Sequence, residues 1–168
     1  QLTPILGETH LIVQQASRVL MRPCLTLMAA FNRDTPAPFV TKRDANATLT
    51  WIAQNNTKPG RSTAYQTWIA QAHPDWSTTN IDVDQSEIKA QLVDLLCSEL
   101  GVDPVKICHA GLQAWRYGLV EKPLGQSFLT HKMLWAGGDW CCGPKVQDAW
   151  QSGSEIAADV LRTIKDRQ

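Results

Sequence analysis

The chain has 168 residues, 43% of them hydrophobic and 19% charged, enough for a sizeable domain with its own core. Sixteen Lys and Arg balance sixteen Asp and Glu, so no basic footprint for nucleic acid or an anionic membrane is present. No apolar run approaches the roughly 18–20 residues that span a bilayer.

Thr3-Pro4 reads as a helix start, with Leu11, Ile12, Val19 and Leu20 recurring at helical spacing until Pro23. "CLTLMAAF" (24–31), "ATLTWIA" (47–53) and "AYQTWIAQA" (64–72) read as strands, with "QNNTKPGR" as an intervening loop. "DVDQSEIKAQLVDLLCSELG" is the clearest helix. Asp84 and Glu87 suggest a capping box, Ile88, Leu92, Leu95 and Leu96 form its apolar stripe, and Gly101 sits at C′. "PVKICHAGLQAWRYGLV" reads as a strand region interrupted near Gly111, "EKPLGQS" as a loop and "KMLWAGG" as a short strand. A last helix begins near Pro144, with Val146, Ala149, Trp150, Gly153, Ile156, Ala157, Val160, Leu161 and Ile164 on its apolar stripe. Ala149, Gly153 and Ala157, four apart, predict a close neighbour for that face. The order α-β-β-β-α-β-β-α predicts an α+β fold with a mainly antiparallel sheet and flanking helices. The final strand–turn–helix reads as part of a second layer.

Five cysteines (Cys24, Cys97, Cys108, Cys141 and Cys142) show neither a disulfide framework nor metal-ligand spacing. With no signal-peptide pattern in "QLTPILGETH", they predict a cytoplasmic protein without a metal site; the absent initiator Met predicts a trimmed chain. His73, His109 and His131 read as loop, structural or surface residues, and most of the seven Trp as core.

The stretch "WAGGDWCCGPKVQ" carries the chemistry. Gly137 and Gly138 lack a Cβ, so another group can approach the main chain. Asp139 presents an acceptor at the end of a strand. The N–H groups of Lys145, Val146 and Gln147 open a helix and favour a partly negative oxygen. A carboxylate for a sugar hydroxyl beside such a helix start suits a nucleotide cofactor, in keeping with ligand binding beyond strand C-termini. The alternative is a structural turn with Asp139 as a helix cap.

"LWAGGDWCCGPKVQDAWQSGSEIAADVL" resembles the C-terminal segment of flavin-dependent amine oxidases, in which a strand ending in Gly-Asp precedes a helix of the type V-x-x-A-x-x-S-G-x-x-A-A. Here those positions are Val146, Ala149, Ser152, Gly153, Ala157 and Ala158. "LQAWRYGLVEKPLGQSFLTHKMLWAGGD" is similar to the renalase-like branch, as are "RPCLTLMAAF", "LTWIAQNNTKPGR" and "TWIAQAHPDWS". The likeness covers essentially the whole chain and is most specific from Trp115 to Ala158. It implies a substrate-binding domain over residues 1–132. Residues 133–168 would then be the last strand and helix of an FAD/NAD(P)-binding, Rossmann-like domain.

The resemblance further implies an FAD-dependent oxidoreductase that moves a hydride from an amine or reduced nicotinamide to flavin. Gly138 and Asp139 would meet the ribityl chain. The backbone of Lys145, Val146 and Gln147 would meet the flavin N1–C2=O edge, and Trp115 would line the substrate cavity. Strand alternation places Tyr117 on the same face as Trp115. The family's G-x-G-x-x-G fingerprint, which holds the FAD pyrophosphate, has no counterpart in this sequence. The chain therefore reads as about the C-terminal half of such an enzyme. It would not retain FAD alone, its partner would be the missing N-terminal FAD-binding half, and the last helix could mediate a homodimer. The competing readings are a flavin-free binding or interaction module and a different nucleotide-binding protein that uses the same turn.

Overall fold

The structure, a computed structural model, describes residues 3–166. The chain forms two compact units, one from Pro23 to Gly118 and one joining the residues up to Arg22 with those from Leu119 onward.

The Pro23–Gly118 unit is built on a five-stranded sheet. Its strands are β1 (Leu20–Asn32), β2 (Thr41–Arg43), β3 (Leu49–Gln54), β4 (Tyr65–Ala72) and β5 (Ile107–Lys122), in the order β2-β3-β4-β1-β5. The pairs β1/β4, β2/β3 and β3/β4 are antiparallel. Leu27 lies opposite Ala70 and Ala29 opposite Trp68, while Ile52 also lies opposite Ala70. Side-chain alternation therefore gathers Leu25, Leu27, Ala29, Phe31, Ile52, Trp68 and Ala70 into one apolar core.

Helix α4 (Gln85–Leu100) contributes Ile88, Leu92, Leu96 and Leu100 to this core, spaced four apart along one stripe. Each such aliphatic side chain stabilises the fold by about 1.5–3 kcal/mol when buried. Asp84 Oδ1 accepts from the N–H groups of Ser86 (2.9 Å) and Glu87 (3.3 Å). The reciprocal half of the expected capping box does not form, because Glu87 accepts from Gln91 one turn on. Gly101 closes the helix at φ +66°, and Val102 N–H bonds Cys97 O at 3.0 Å.

Several local details depart from the sequence reading. The single first helix divides into α1 (Thr3–Leu6) and α2 (Leu11–Ala16). Gly7 at φ +82° ends the first, and His10 Nδ1 caps the second by accepting from Ile12 N–H at 3.2 Å. Pro23 lies inside β1, ahead of its paired stretch with β4. His73 is a helix cap: its Nδ1 accepts from Asp75 N–H at 3.1 Å and opens the short helix α3 (Pro74–Asn80). β5 runs unbroken past Gly111. Close packing at Gly118 leaves no room for a side chain, since a Cβ there would stand 2.9 Å from the Cβ atoms of Cys24 and Trp115.

The other unit contains α1, α2 and a hairpin of β6 (Leu129–His131) and β7 (Leu134–Ala136). Two further helices follow, α5 (Asp139–Cys142) and α6 (Val146–Lys165). His131 meets His10 edge-on at 5.3 Å. Among the described residues, no helix is long and apolar enough to cross a membrane.

Candidate functional site

The Gly-Gly-Asp turn follows β7 and leads directly into α5, a one-turn helix too short to show any periodicity. The space left by the glycines is filled by the chain itself. A Cβ on Gly137 would lie 2.6 Å from Ile156 Cδ1 and closer still to Ser152 Oγ, so α6 packs against the bare main chain there. At Gly138 the Trp140 indole takes the space, and at Gly143 the Asp148 carboxylate does.

Docking of α6 reverses the expectation from its apolar stripe. The inward face carries a polar ladder. Asp148 Oδ2 accepts from Lys145 N–H at 2.8 Å, and Ser152 Oγ from Gly138 N–H at 2.9 Å. Glu155 bonds Ser127, and Asp159 Oδ2 accepts from Trp135 Nε1 at 2.8 Å. Hydrogen bonds from the Ser127 hydroxyl and the Gln151 amide hold the Glu155 carboxyl below its usual range. Burial pushes the Cys141 thiol up, an effect opposed by hydrogen bonds from Gly138 and Ser152. The apolar face points outward. Val146 is 85% exposed, Trp150 75% and Leu161 61%, and nothing lies within 4 Å of a Cβ built on Gly153. Ile156 and Val160 are the half-buried members of the stripe.

Five of the residues singled out from the sequence, Gly138, Asp139, Lys145, Val146 and Gln147, fall in this unit. Asp139 is half-buried, and its Oδ1 accepts from Trp140 N–H at 2.8 Å. Oδ2 has no donor among the described residues. Gly138 N–H is taken by Ser152 and Lys145 N–H by Asp148, whereas nothing among the described residues accepts from Val146 or Gln147 N–H. The fit to FAD is thus one carboxylate oxygen and two open helix N–H groups. The loop before β6 secures this frame, with Leu124 N–H on Trp140 O and Gly125 N–H on Cys141 O, both at 3.0 Å.

Trp115 and Tyr117 belong to the other unit. They are 54% and 60% exposed, so neither is a core residue. Residues 115–118 are all exposed, so strand alternation does not set Trp115 and Tyr117 apart from Arg116. Arg116 pairs with Asp82.

Sequence reasoning passed over Asp148, Ser152, Glu155 and Asp159 as partners of the turn. Their spacing of three and four is a helical stripe in its own right, but a polar one reads as a solvated face.

No protein-family model matches the chain. The fold is similar to part of a solved structure, a candidate protoporphyrinogen oxidase from Exiguobacterium sp. 255-15, with a TM-score of 0.57 and 14% identity. The similarity covers 76% of this chain and 29% of that protein, so the chain corresponds to less than a third of its neighbour's length. At that identity the likeness is one of fold: an α+β architecture with an antiparallel sheet and flanking helices.

Proposed function

We propose that the chain is the substrate-binding part, with the last cofactor-contacting strand and helix, of an FAD-dependent oxidoreductase of the renalase-like, amine-oxidase type. The observation that carries this reading is the Asp139 turn, with one free carboxylate oxygen, followed by α6 with open N–H groups at Val146 and Gln147. The fold likeness to part of an oxidase supports it. In this reading residues 133–168 serve the cofactor and the preceding part serves the substrate. When bound, FAD would supply the hydride acceptor for an amine or a reduced nicotinamide. Asp139 Oδ2 would accept from a ribityl hydroxyl. The N–H groups of Val146 and Gln147 would face the electronegative edge of the ring, aided by the helix dipole. Gly138 and Lys145 would shape the turn rather than donate, since their N–H groups are occupied. Trp115 and Tyr117 would offer aromatic surface to the substrate. The partner would be an N-terminal FAD-binding half, with a cytoplasmic setting for the whole.

One observation favours the second reading, a flavin-free interaction module. Asp148 already places a carboxylate on the N–H of Lys145, the N-cap of α6, where it opposes the approach of another anionic group. Asp139→Ala in the full-length protein separates the two. Loss of a charge-assisted hydrogen bond, about 1.5–3 kcal/mol, should weaken FAD binding roughly ten- to hundredfold. Unchanged FAD affinity, measured by equilibrium dialysis, would reduce Asp139 to a cap on Trp140.

A further inference from the structure

We infer that Ser152 is a positioning residue. A single buried hydroxyl sets where Asp139 stands relative to the start of α6. This rests on the reading above, in which Asp139 and the α6 start face FAD. Ser152 is fully buried. Its Oγ accepts from Gly138 N–H at 2.9 Å, and its side chain also bonds the Cys141 thiol. Gly138 immediately precedes Asp139, so the carboxylate-bearing turn is tied directly to a buried atom of α6. Ser152 is itself six residues along α6 from Val146, about 9 Å at 1.5 Å per residue, along a continuous hydrogen-bonded helix. Turn and helix start therefore move as one frame.

The site fits serine closely. A bare methyl at residue 152 leaves Gly138 N–H without its acceptor. A larger side chain meets the Gly137 main chain, where even a Cβ finds no room beside Ser152 and Ile156. Asp148 and Asp159 take no part in this tie, since their carboxylates are committed to Lys145 and Trp135.

The test is a double-mutant cycle on FAD affinity in the full-length protein, with NMR of the present chain as a cofactor-free readout. Ser152→Ala should weaken FAD binding about five- to tenfold in the wild-type background. It should have no further effect in the Asp139→Ala background, because a residue that acts through Asp139 loses its effect when Asp139 is gone. Equal losses in both backgrounds would mean general loosening of the fold and would overturn the proposal. In the chain alone, Ser152→Ala should shift the Asp139 carboxyl carbon signal and speed amide exchange at Gly138. An unmoved Asp139 signal would likewise overturn it. If Asp139→Ala leaves FAD affinity unchanged, the FAD reading fails, and the Asp139 signal alone decides whether Ser152 positions the turn. Should Ser152→Ala not fold, Ser152→Cys keeps the bulk with a weaker acceptor and is read the same way.

Discussion

Asp84 and Asp139 are both acids at the start of a helix, and their surroundings give them different work. Asp84 spends its carboxylate on α4: the Ser86 hydroxyl, then the N–H groups of Glu87 and Ser86, hold its carboxyl below the usual range. A carboxyl depressed in the folded state adds stability above its unfolded pKa and loses it as pH falls through the folded one. The melting-temperature advantage of wild type over Asp84→Asn should therefore shrink between neutral pH and about pH 3, the carboxylate range. A constant gap would show that the charge contributes nothing. Asp139 keeps one oxygen uncommitted, which is what a ligand contact needs. Trp115 invites a similar contrast. Being 54% exposed, it should tolerate truncation to Ala with a stability change of about 0.5 kcal/mol, as surface positions do. In the full-length protein we expect an unchanged melt and FAD content but slower flavin reduction, because a roof over the substrate fixes its distance and tilt. Normal reduction kinetics would remove Trp115 from the substrate cavity.

Helix α6 turns most of its apolar stripe outward. Of the apolar stripe that periodicity assigns to its buried side, Ile156 and Val160 are half-buried, whereas Val146, Ala149, Trp150, Gly153, Ala157, Leu161 and Ile164 are exposed, and the polar ladder of Asp148, Ser152, Glu155 and Asp159 faces inward. Asp148 meets the N–H of Lys145 three residues before it, but Ser152 and Asp159 meet donors 14 and 24 residues away, which no periodicity reports. The small residues Ala149, Gly153 and Ala157 were expected to meet a neighbour, and in this chain they are exposed. An apolar face of this length is costly in water. At high concentration the chain should self-associate through it, and Trp150→Ser should lower the apparent mass by light scattering without lowering the melting temperature. A wild-type chain that stays monomeric, or an oligomer unaffected by Trp150→Ser, would contradict this. Helix α4 is closer to its sequence reading: the N-cap and C′ glycine form as expected and Ile88, Leu92 and Leu96 enter the core, but Leu95 of the expected stripe is exposed and Leu100 is buried instead.

At the scale of the molecule, the Asp139 turn leaves open one carboxylate oxygen and two N–H groups, which in the proposed reading would meet FAD, and no pyrophosphate fingerprint occurs in the sequence. Purified with excess FAD and desalted, the chain should carry no stoichiometric flavin absorbance; retained flavin at one per chain would overturn that expectation. The sequence by itself determined the α+β class, the three strands of alternating or apolar pattern, α4 with its caps, and the strand–turn–helix near the C-terminus. These are local properties, set by side-chain period and by terminal residues that act within a turn of where they stand. It also pointed to Asp139 and the α6 start as a site. The tertiary structure alone decided what fills the space beside Gly137, which N–H groups of the site remain open, and which face of α6 is buried. Those outcomes depend on pairs far apart in sequence, such as Gly138 with Ser152 and Trp135 with Asp159, whose hydrogen bonds exist only once the chain has folded back on itself.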